Sequence, residues 1–317
     1  MLKLLLLNMF CVLSCTLRAD QLPDIHEYEQ NRPCHLWENT TPLTEEDLLT
    51  DLLLTSHIHP QVSQWTQKKL QSSEKTYTGY VRTSYVSQEI WDQVSPYFFP
   101  EHFPEKAVLD EIFSKRRVLK SVNSMYKSGF NLIQKSRTKI IVGRHLNLKG
   151  YIIKAFLDES TAPDWHCFLK RIIGVRAIQA KIDQYGYQAI MKAPNKWIYP
   201  LPPENFPAKD IPYRKNFILI AEEMDLLNHK QNLKAYKTKM TPQILDAYYT
   251  LLTELKLIDS VYADNTTFCT DGRLAFVDTE HSLNTEIPVP LPTVAQYLSP
   301  EMIAYWQHLY FNGGPQR

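Results

Sequence analysis

The sequence predicts an α+β protein in which a helical N-terminal part precedes a region that mixes strands with helices. Two observations predict this class. Apolar residues recur at helical spacing in blocks such as "TPQILDAYYTLLTELKLI", whereas short β-branched and aromatic runs such as "GYIIKAF" and "KNFILIA" are typical of strands. The chain has 317 residues, of which 44% are hydrophobic, so it can bury a substantial core.

The first residues predict a secretory signal. Lys3 precedes an apolar run that is too short to span a bilayer comfortably and that ends in small residues near Ala19. We therefore expect a signal peptide at 1–19 and a secreted, periplasmic or envelope location, with no transmembrane span in the mature chain. Two alternatives stay open: a short N-terminal membrane anchor, or lipoprotein processing at Cys15 in "VLSC".

The charge balance argues against general nucleic-acid binding, because the formal net charge is only +1 and such binding needs a marked basic excess. No acidic residue occurs between residues 112 and 157, although that span is rich in Lys and Arg. This basic stretch is either a solvated face or a surface that meets phosphate groups or a partner. Charge alone does not decide between the two.

The cysteines predict neither a disulfide framework nor a zinc site. Cys34, Cys167 and Cys269 remain if the signal is removed, and they are few, odd in number and far apart. One disulfide among them stays open, and the sequence does not say which.

A leader and a small helical module are predicted before the mixed region. Residues 20–43 are rich in polar residues and proline and predict an extended leader. The helical module is predicted for 44–137. Thr44 is placed as an N-cap, Ser87 precedes "QEIWDQV", and Pro104 opens "PEKAVLDEIF" with apolar residues at helical spacing.

The mixed region, 138–317, begins with a predicted hairpin. "KIIVG" and "GYIIKAF" flank a turn that contains Asn147 and Gly150, and Lys154 alternates with apolar neighbours on the second strand. A helix is predicted over 165–185, where apolar residues recur at helical spacing.

Further strands and helices follow in alternation. "QAIMKAPNKWIYPLP" predicts an extended or strand segment, and "KNFILIAEEM" predicts a buried strand that ends on Glu222 and Glu223. Thr241 as N-cap and Pro242 at the first helical position predict the next helix. "TDGRLAFVD" predicts a tight turn and an apolar strand, and Ser299 caps the last helix.

The stretch "YADNTTFCTDGRLAFVDTEH" places Asn265 and Asp278 thirteen residues apart on either side of that turn. One interpretation is an ordinary hairpin with polar ends. The other is a pair of oxygen ligands for a metal ion that carries a nucleotide. A hairpin of this length returns the end of one strand to the start of the other, so both side chains can face one cation.

Over roughly residues 138–305, the order hairpin, helix, strand, acidic linker, helix and hairpin resembles the protein kinase-like superfamily. The resemblance implies a reduced two-lobed domain with ATP and Mg²⁺ as ligands. It implies that Lys154 in "YIIKAF" contacts the nucleotide phosphates. It also implies that Glu222 and Glu223 lie in the hinge that holds adenine.

The resemblance implies two further roles, and the sequence departs from the family in three ways. Asn265 and Asp278 would hold Mg²⁺, and Asp259 is the candidate base. However, Ser260 stands where the family has its proton-accepting Asp, the Gly-rich phosphate loop is missing, and the helix at 165–185 has no Glu to pair with the strand Lys.

These features predict an exported, divergent kinase-like protein. If it is active, we expect it to transfer a phosphoryl or nucleotidyl group from Mg²⁺-bound ATP to a hydroxyl, with a nucleotide and a protein substrate or partner as its ligands. The alternative is a catalytically inactive secreted binding protein, either a pseudokinase or an unrelated α+β fold.

Overall fold

The computed structural model describes residues 79–134, 140–203, 211, 213–280, 282 and 288–315. Its helices are α1 (Gln88–Val94), α2 (Pro104–Lys115), α3 (Val122–Lys127), α4 (Asp164–Tyr185), α5 (His229–Lys239), α6 (Pro242–Glu254) and α7 (Pro300–Phe311). Its strands are β1 (Phe130–Gln134), β2 (Ile141–His145), β3 (Tyr151–Ala155), β4 (Met191–Lys192), β5 (Lys196–Pro200), β6 (Phe217–Glu222), β7 (Thr266–Phe268) and β8 (Leu274–Phe276). This mixture of helices and sheets confirms the predicted α+β class.

Five strands form one antiparallel sheet in the order β1-β2-β3-β6-β5. Lys154 of β3 lies opposite Leu219 of β6, and Lys196 of β5 lies opposite Ala221 of β6. Side chains two residues apart on a strand point to the same face. Since Leu219 and Ala221 are two apart, Lys154 and Lys196 share one face of the sheet.

Both faces of this sheet are covered by helices. Leu109 and Phe113 of α2 and Met125 of α3 belong to the core on one face. Phe168 and Ile172 of α4 belong to the core on the other face. Because β6 is buried on both sides, it reads as an uninterrupted apolar run without the alternation of a half-exposed strand.

A third core surrounds α6. The helices α5 and α7 and a three-stranded sheet, in the order β4-β8-β7, pack against it. Thr241 caps α6 by accepting the backbone N–H of Ile244, and Pro242 occupies the first helical turn. Tyr248 at the centre of α6 packs against Trp306 of α7, with ring centroids 5.9 Å apart.

The helix α4 is fixed at both ends. At its start, the Asp164 carboxylate accepts the backbone N–H groups of Asn216 at 2.7 Å and Phe217 at 2.9 Å, which fastens the helix to the beginning of β6. At its end stands Gly186 with a φ of +70°. This left-handed conformation has no steric cost for glycine and stops the helix.

Most of the predicted elements are confirmed. The hairpin β2–β3, the strand β6, the hairpin β7–β8 and the helices α1, α2, α4, α6 and α7 all form where the sequence predicts them.

Two elements differ from the prediction. The strand β1 forms inside the range 44–137, which was predicted as helical, because Phe130 and Leu132 bury on the core beneath α2. The five-stranded sheet therefore begins before residue 138. The helix α5 forms where the sequence indicated only a linker, and it starts with a capping box made by Asn228 and Gln231.

Several predictions lie outside the described residues: the signal peptide at 1–19, the leader at 20–43, the helix after Thr44, and Cys34. Cys167 and Cys269 are thiols that do not bond to each other. Within the described ranges, no helix combines the length and apolar character that crossing a bilayer requires.

Candidate functional site

Two buried lysines of the five-stranded sheet reach the chain that follows β8. Lys154, only 8% exposed, donates to the carbonyl oxygen of Val277 at 3.2 Å. Lys196, 2% exposed, donates to the same carbonyl at 3.1 Å and to the Thr279 hydroxyl at 2.9 Å. Residues far apart in sequence therefore meet at residues 277–280, which we call the acidic segment because it contains Asp278 and Glu280.

The acidic segment also lies against α4. The Thr279 hydroxyl donates to the carbonyl oxygen of Arg171 at 2.6 Å. Gly174, one turn further along α4, allows this approach: a Cβ built there would lie 2.1 Å from the Thr279 carbonyl oxygen. The helix and the acidic segment can therefore be this close only because residue 174 has no side chain.

Arg171 of α4 holds both carboxylates of the acidic segment. One terminal guanidinium nitrogen donates to Asp278 and the other donates to Glu280. The Arg171 side chain is 6% exposed, whereas those of Asp278 and Glu280 are 31% and 21% exposed. The two carboxylates therefore lie nearer to the solvent than the guanidinium that pairs with them.

We call Lys154, Arg171, Lys196, Asp278 and Glu280 the charged cluster. Burial lowers the pKa of Lys154 below the usual lysine value, although the Asp278 carboxylate partly opposes this. Burial, together with the charge of Lys154, lowers the pKa of Lys196 much further. Burial also acts against the charged form of Arg171, but Asp278 and Glu280 outweigh it and raise its pKa, so the guanidinium stays charged.

Cys167 lies one turn before Arg171 on α4 and is not a nucleophile in this setting. Burial, followed by the nearby Glu280 carboxylate, raises the pKa of its thiol to about 12. A thiol needs a lowered pKa to react as a thiolate near neutral pH. Cys167 instead packs against the core that contains Phe168 and Ile172.

Asn265 lies directly beside the acidic segment. Its carbonyl oxygen accepts the backbone N–H of Val277 at 2.9 Å and that of Asp278 at 3.5 Å. Its side-chain nitrogen donates to the carbonyl oxygen of Asp259 at 2.8 Å. Asp259 and Asn265 are thus joined next to Asp278.

Ser260, at the position where the kinase-like pattern has its base, is 2% exposed. Its carbonyl oxygen accepts from the Tyr248 hydroxyl and from the Thr266 hydroxyl, the latter at 2.6 Å. This residue therefore anchors the loop to α6 and β7.

The acids at the end of β6 have protein partners. The Glu222 carboxylate accepts the backbone N–H of Asn195 at 2.9 Å and its side-chain amide at 2.8 Å. The Glu223 carboxylate pairs with Arg144 of β2, and its backbone N–H donates to the Gly150 carbonyl at 2.8 Å. Both carboxylates therefore fasten the edge of the sheet.

Of the residues that the sequence analysis selected, the structure brings Lys154, Asn265 and Asp278 to one place. Arg171, Lys196 and Glu280 were missed. Glu280 was visible as a second acid in "VDTEH", and Lys196 as a basic residue in an apolar strand. Nothing in the sequence distinguishes Arg171 from the other basic residues of its helix.

The donor set does not fit a Mg²⁺ ion in the arrangement present. Among the described residues, no group of three or more His, Cys, Asp or Glu side chains could hold a metal. A carboxylate oxygen of Asp278 already accepts from Arg171. A divalent ion about 4 Å from that guanidinium would meet a repulsion of about 8 kcal/mol at an effective dielectric constant of about 20, which offsets the attraction of one carboxylate at the same distance.

Two surface cavities of the described residues lie elsewhere. One, of about 410 Å³, is lined by residues that include Tyr80, Asp110 and Pro200. The other, of about 310 Å³, is lined by residues that include Tyr85, Arg117 and Arg214. Neither lining includes a member of the charged cluster, so we identify the candidate site by its chemistry and not by cavity size.

No model of a known protein family matches this chain, and no curated protein matches it significantly. The charged cluster and its geometry therefore carry the functional argument.

Proposed function

We propose that this chain is an exported, divergent kinase-like protein. Its reduced two-lobed domain, at about residues 138–305, binds ATP at the charged cluster. The observation that carries the proposal is the meeting of Lys154 with the segment that contains Asp278. Lys154 lies 3.2 Å from the carbonyl of Val277, the residue just before Asp278. A cationic side chain and two oxygen-bearing side chains, Asn265 and Asp278, thus lie in one region despite their separation in sequence.

The order of the elements supports the proposal. The hairpin β2–β3, the helix α4, the strands β5 and β6, the helices α5 and α6, and the hairpin β7–β8 follow one another along the chain. That is the order of the core of a kinase-like domain, with Lys154 on a central strand and Asp278 directly after the late hairpin. This order is a resemblance to that domain. It supports the proposal because it agrees with the positions of the charged side chains.

In the proposed reaction, Lys154 binds and orients the phosphates, and positioning of this kind supplies much of the catalysis in phosphoryl transfer. Asp259, joined to Asn265, is the candidate group to accept the proton of the attacking hydroxyl. Mg²⁺ is the cation that the resemblance implies at Asn265 and Asp278. Because the donors present do not fit that ion, no step is assigned to it.

A second candidate is an exported binding protein without catalysis. Two observations favour it: Ser260 is buried in the position of the family's base, and Arg171 occupies the Asp278 carboxylate. Such a protein would bind a nucleotide or another anionic ligand at the same cluster, or a protein partner at its surface, without transferring a group.

A thermal-shift experiment tests the nucleotide site. We expect ATP, with and without Mg²⁺, to raise the melting temperature, because a ligand that binds only the native state stabilises it by about 2.7 kcal/mol at 100 times its dissociation constant. The increment should vanish in Lys154→Ala, which removes the cation proposed to bind the phosphates. Lys149→Ala, which removes an exposed lysine from the β2–β3 turn, is the matched control and should keep it.

Release of ADP or pyrophosphate separates the two candidates. Phosphoryl transfer to a hydroxyl should release ADP from wild type, and nucleotidyl transfer should release pyrophosphate instead. Either release should be lost in Asp259→Asn, while the thermal shift with ATP stays. A thermal shift without either release under any acceptor would favour the binding protein. The absence of any shift at millimolar ATP would contradict both forms of the nucleotide site.

A further inference from the structure

Arg171 is joined to the acidic segment by two ion pairs, whereas Lys154 and Lys196 reach the same segment through hydrogen bonds to Val277 and Thr279. It comes from α4, on the sheet side, and its guanidinium reaches Asp278 and Glu280 after β8. The Arg171 side chain is only 6% exposed. One of its terminal nitrogens donates to Asp278 and the other donates to Glu280. Removing it would leave two neighbouring carboxylates without their shared cation.

The charged cluster contains one more basic group than acidic groups. Lys154, Arg171 and Lys196 face Asp278 and Glu280. One guanidinium balances one of the two carboxylates and one lysine balances the other, so the second lysine, when protonated, leaves one net positive charge for an anionic ligand. The positive charge that a phosphate group needs is therefore supplied by side chains.

One donor of Arg171 is also uncommitted. Its Nε is buried and has no hydrogen-bond partner among the described residues. A guanidinium has five donors in a planar fork, which matches the oxygens of a phosphate. Arg171 can thus hold the acidic segment through its terminal nitrogens and still donate to a ligand.

We propose that Arg171 is the resident cation of this site: its guanidinium stands where a divalent ion would act, so that the phosphates of a nucleotide bind to Lys154 and Arg171 without a metal. This inference rests on the proposed nucleotide site. The same ion pair keeps divalent ions from Asp278, because the carboxylate is occupied and the guanidinium repels a second cation. The donor set then does not fit Mg²⁺ because the Arg171 guanidinium takes the place of the divalent ion.

The first experiment measures the affinity of the purified chain for a fluorescent ATP analogue, in excess EDTA and in Mg²⁺. Wild type should bind with dissociation constants that agree within about threefold in the two buffers, a difference well below the tenfold that 1.4 kcal/mol represents. Arg171→Gln should bind at least about tenfold more weakly in EDTA, because it loses charge-assisted hydrogen bonds. It should recover affinity in Mg²⁺, since the Asp278 carboxylate then no longer pairs with Arg171 and can bind the ion.

Two variants control this experiment. Arg171→Lys keeps the charge without the planar fork and should retain metal-independent binding at reduced affinity. Arg176→Gln removes another arginine of α4, which packs over the Tyr97 ring at 4.5 Å and not in the charged cluster, and it should behave as wild type. Circular dichroism confirms that each variant is folded before its affinity is compared.

The second experiment uses Mn²⁺ alone and needs no nucleotide. Electron paramagnetic resonance should show no specific Mn²⁺ binding to wild type, a bound signal in Arg171→Gln, and loss of that signal in Arg171→Gln combined with Asp278→Asn. If wild type binds the ATP analogue only with Mg²⁺, or binds Mn²⁺ as well as the variant does, the inference is overturned. If no protein binds nucleotide, the proposed nucleotide site fails, and the Mn²⁺ result decides separately whether Arg171 excludes metals from Asp278.

Discussion

Two groups of buried charges join distant parts of this chain, and they differ in balance. In the first, Arg117 donates to both Asp158 oxygens, at 2.8 Å and 2.5 Å, and the same carboxylate accepts the backbone N–H of Lys215 at 3.0 Å. Asp164 lies nearby and interacts with Lys215, so two basic groups meet two acidic groups. We call these four residues the balanced cluster.

The charged cluster at Asp278 has a surplus of basic groups, and its acids are partly open to solvent. In the balanced cluster, by contrast, Asp158 and Arg117 are only 6% and 11% exposed. Arg117 also lines the smaller surface cavity, but its guanidinium already donates to Asp158 and to the Lys215 carbonyl oxygen, so this cluster stabilises the fold more than it offers charge to a ligand. The comparison agrees with a stabilising role for the balanced cluster and with the binding that we propose for the charged cluster, and four substitutions test that division.

The largest effect is expected for Asp158→Asn. Asp158→Asn removes the carboxylate charge that pairs with the buried Arg117 guanidinium, which we expect to lower the free energy of unfolding by about 3 kcal/mol. Urea denaturation measures this value. Glu159→Gln, at the exposed neighbouring position, is the control and should change little. Equal losses in the two variants would remove the contrast between the clusters.

Gly174→Ala should lower the free energy of unfolding by about 2 kcal/mol. The added Cβ would clash with the Thr279 carbonyl oxygen and force α4 away from the acidic segment. An ordinary Gly→Ala change within a helix is favourable by about 1 kcal/mol. Ala180→Gly, at an exposed position of the same helix, measures that propensity term alone. A stabilised Gly174→Ala protein would show that the close approach is absent in solution.

Lys196→Met should change the dependence of stability on pH. The folded-state pKa of Lys196 is lowered by burial and by Lys154, so above that pKa the unfolded chain binds a proton that the folded chain does not. Stability of wild type should therefore rise with pH up to the ordinary lysine pKa of about 10.4.

The contribution of this one lysine has a slope of up to about 1.4 kcal/mol per pH unit. Lys196→Met should lack it, and urea denaturation between neutral pH and pH 10 tests this. Lys149→Met, an exposed control, should keep the slope of wild type. Parallel curves for wild type and Lys196→Met would mean that the buried lysine does not titrate as its surroundings indicate.

The smallest effect is expected for Glu223→Gln. Its partner Arg144 is 53% exposed, and an ion pair of that kind contributes less than about 0.5 kcal/mol. The free energy of unfolding and the affinity for the ATP analogue should both stay close to wild type. A clear loss of affinity would instead return Glu223 to the nucleotide site that the sequence resemblance implied.

Local signals in the sequence were enough to predict the helices and strands that have a clear capping or hydrophobic pattern. Thr241 and Pro242 mark the start of α6, and the apolar runs mark β3, β6 and β8. The strand β1 was missed because "FNLIQ" is short and its burial depends on α2, which is distant in sequence. The helix α5 was missed because it is largely polar, although its Asn228–Gln231 capping box was readable.

The candidate site was predictable only in part, for a physical reason. Lys154, Asn265 and Asp278 stand at recognisable places on strands and turns. The role of Arg171 depends on which face of α4 meets the acidic segment, and this is decided by Gly174 and by the fit of two separate chain segments. Such contacts between distant segments leave no local pattern to read.

The residues 193–195 carry the chain from β4 in the smaller sheet to β5 in the larger one. A link of this length cannot extend beyond about 14 Å, so β4 and β5 stay within that distance of each other where the two sheets meet. The strand β8 runs alongside β4, and the acidic segment leaves directly from its end. The short link therefore holds Lys196, the first residue of β5, beside the end of the strand that carries the acidic segment.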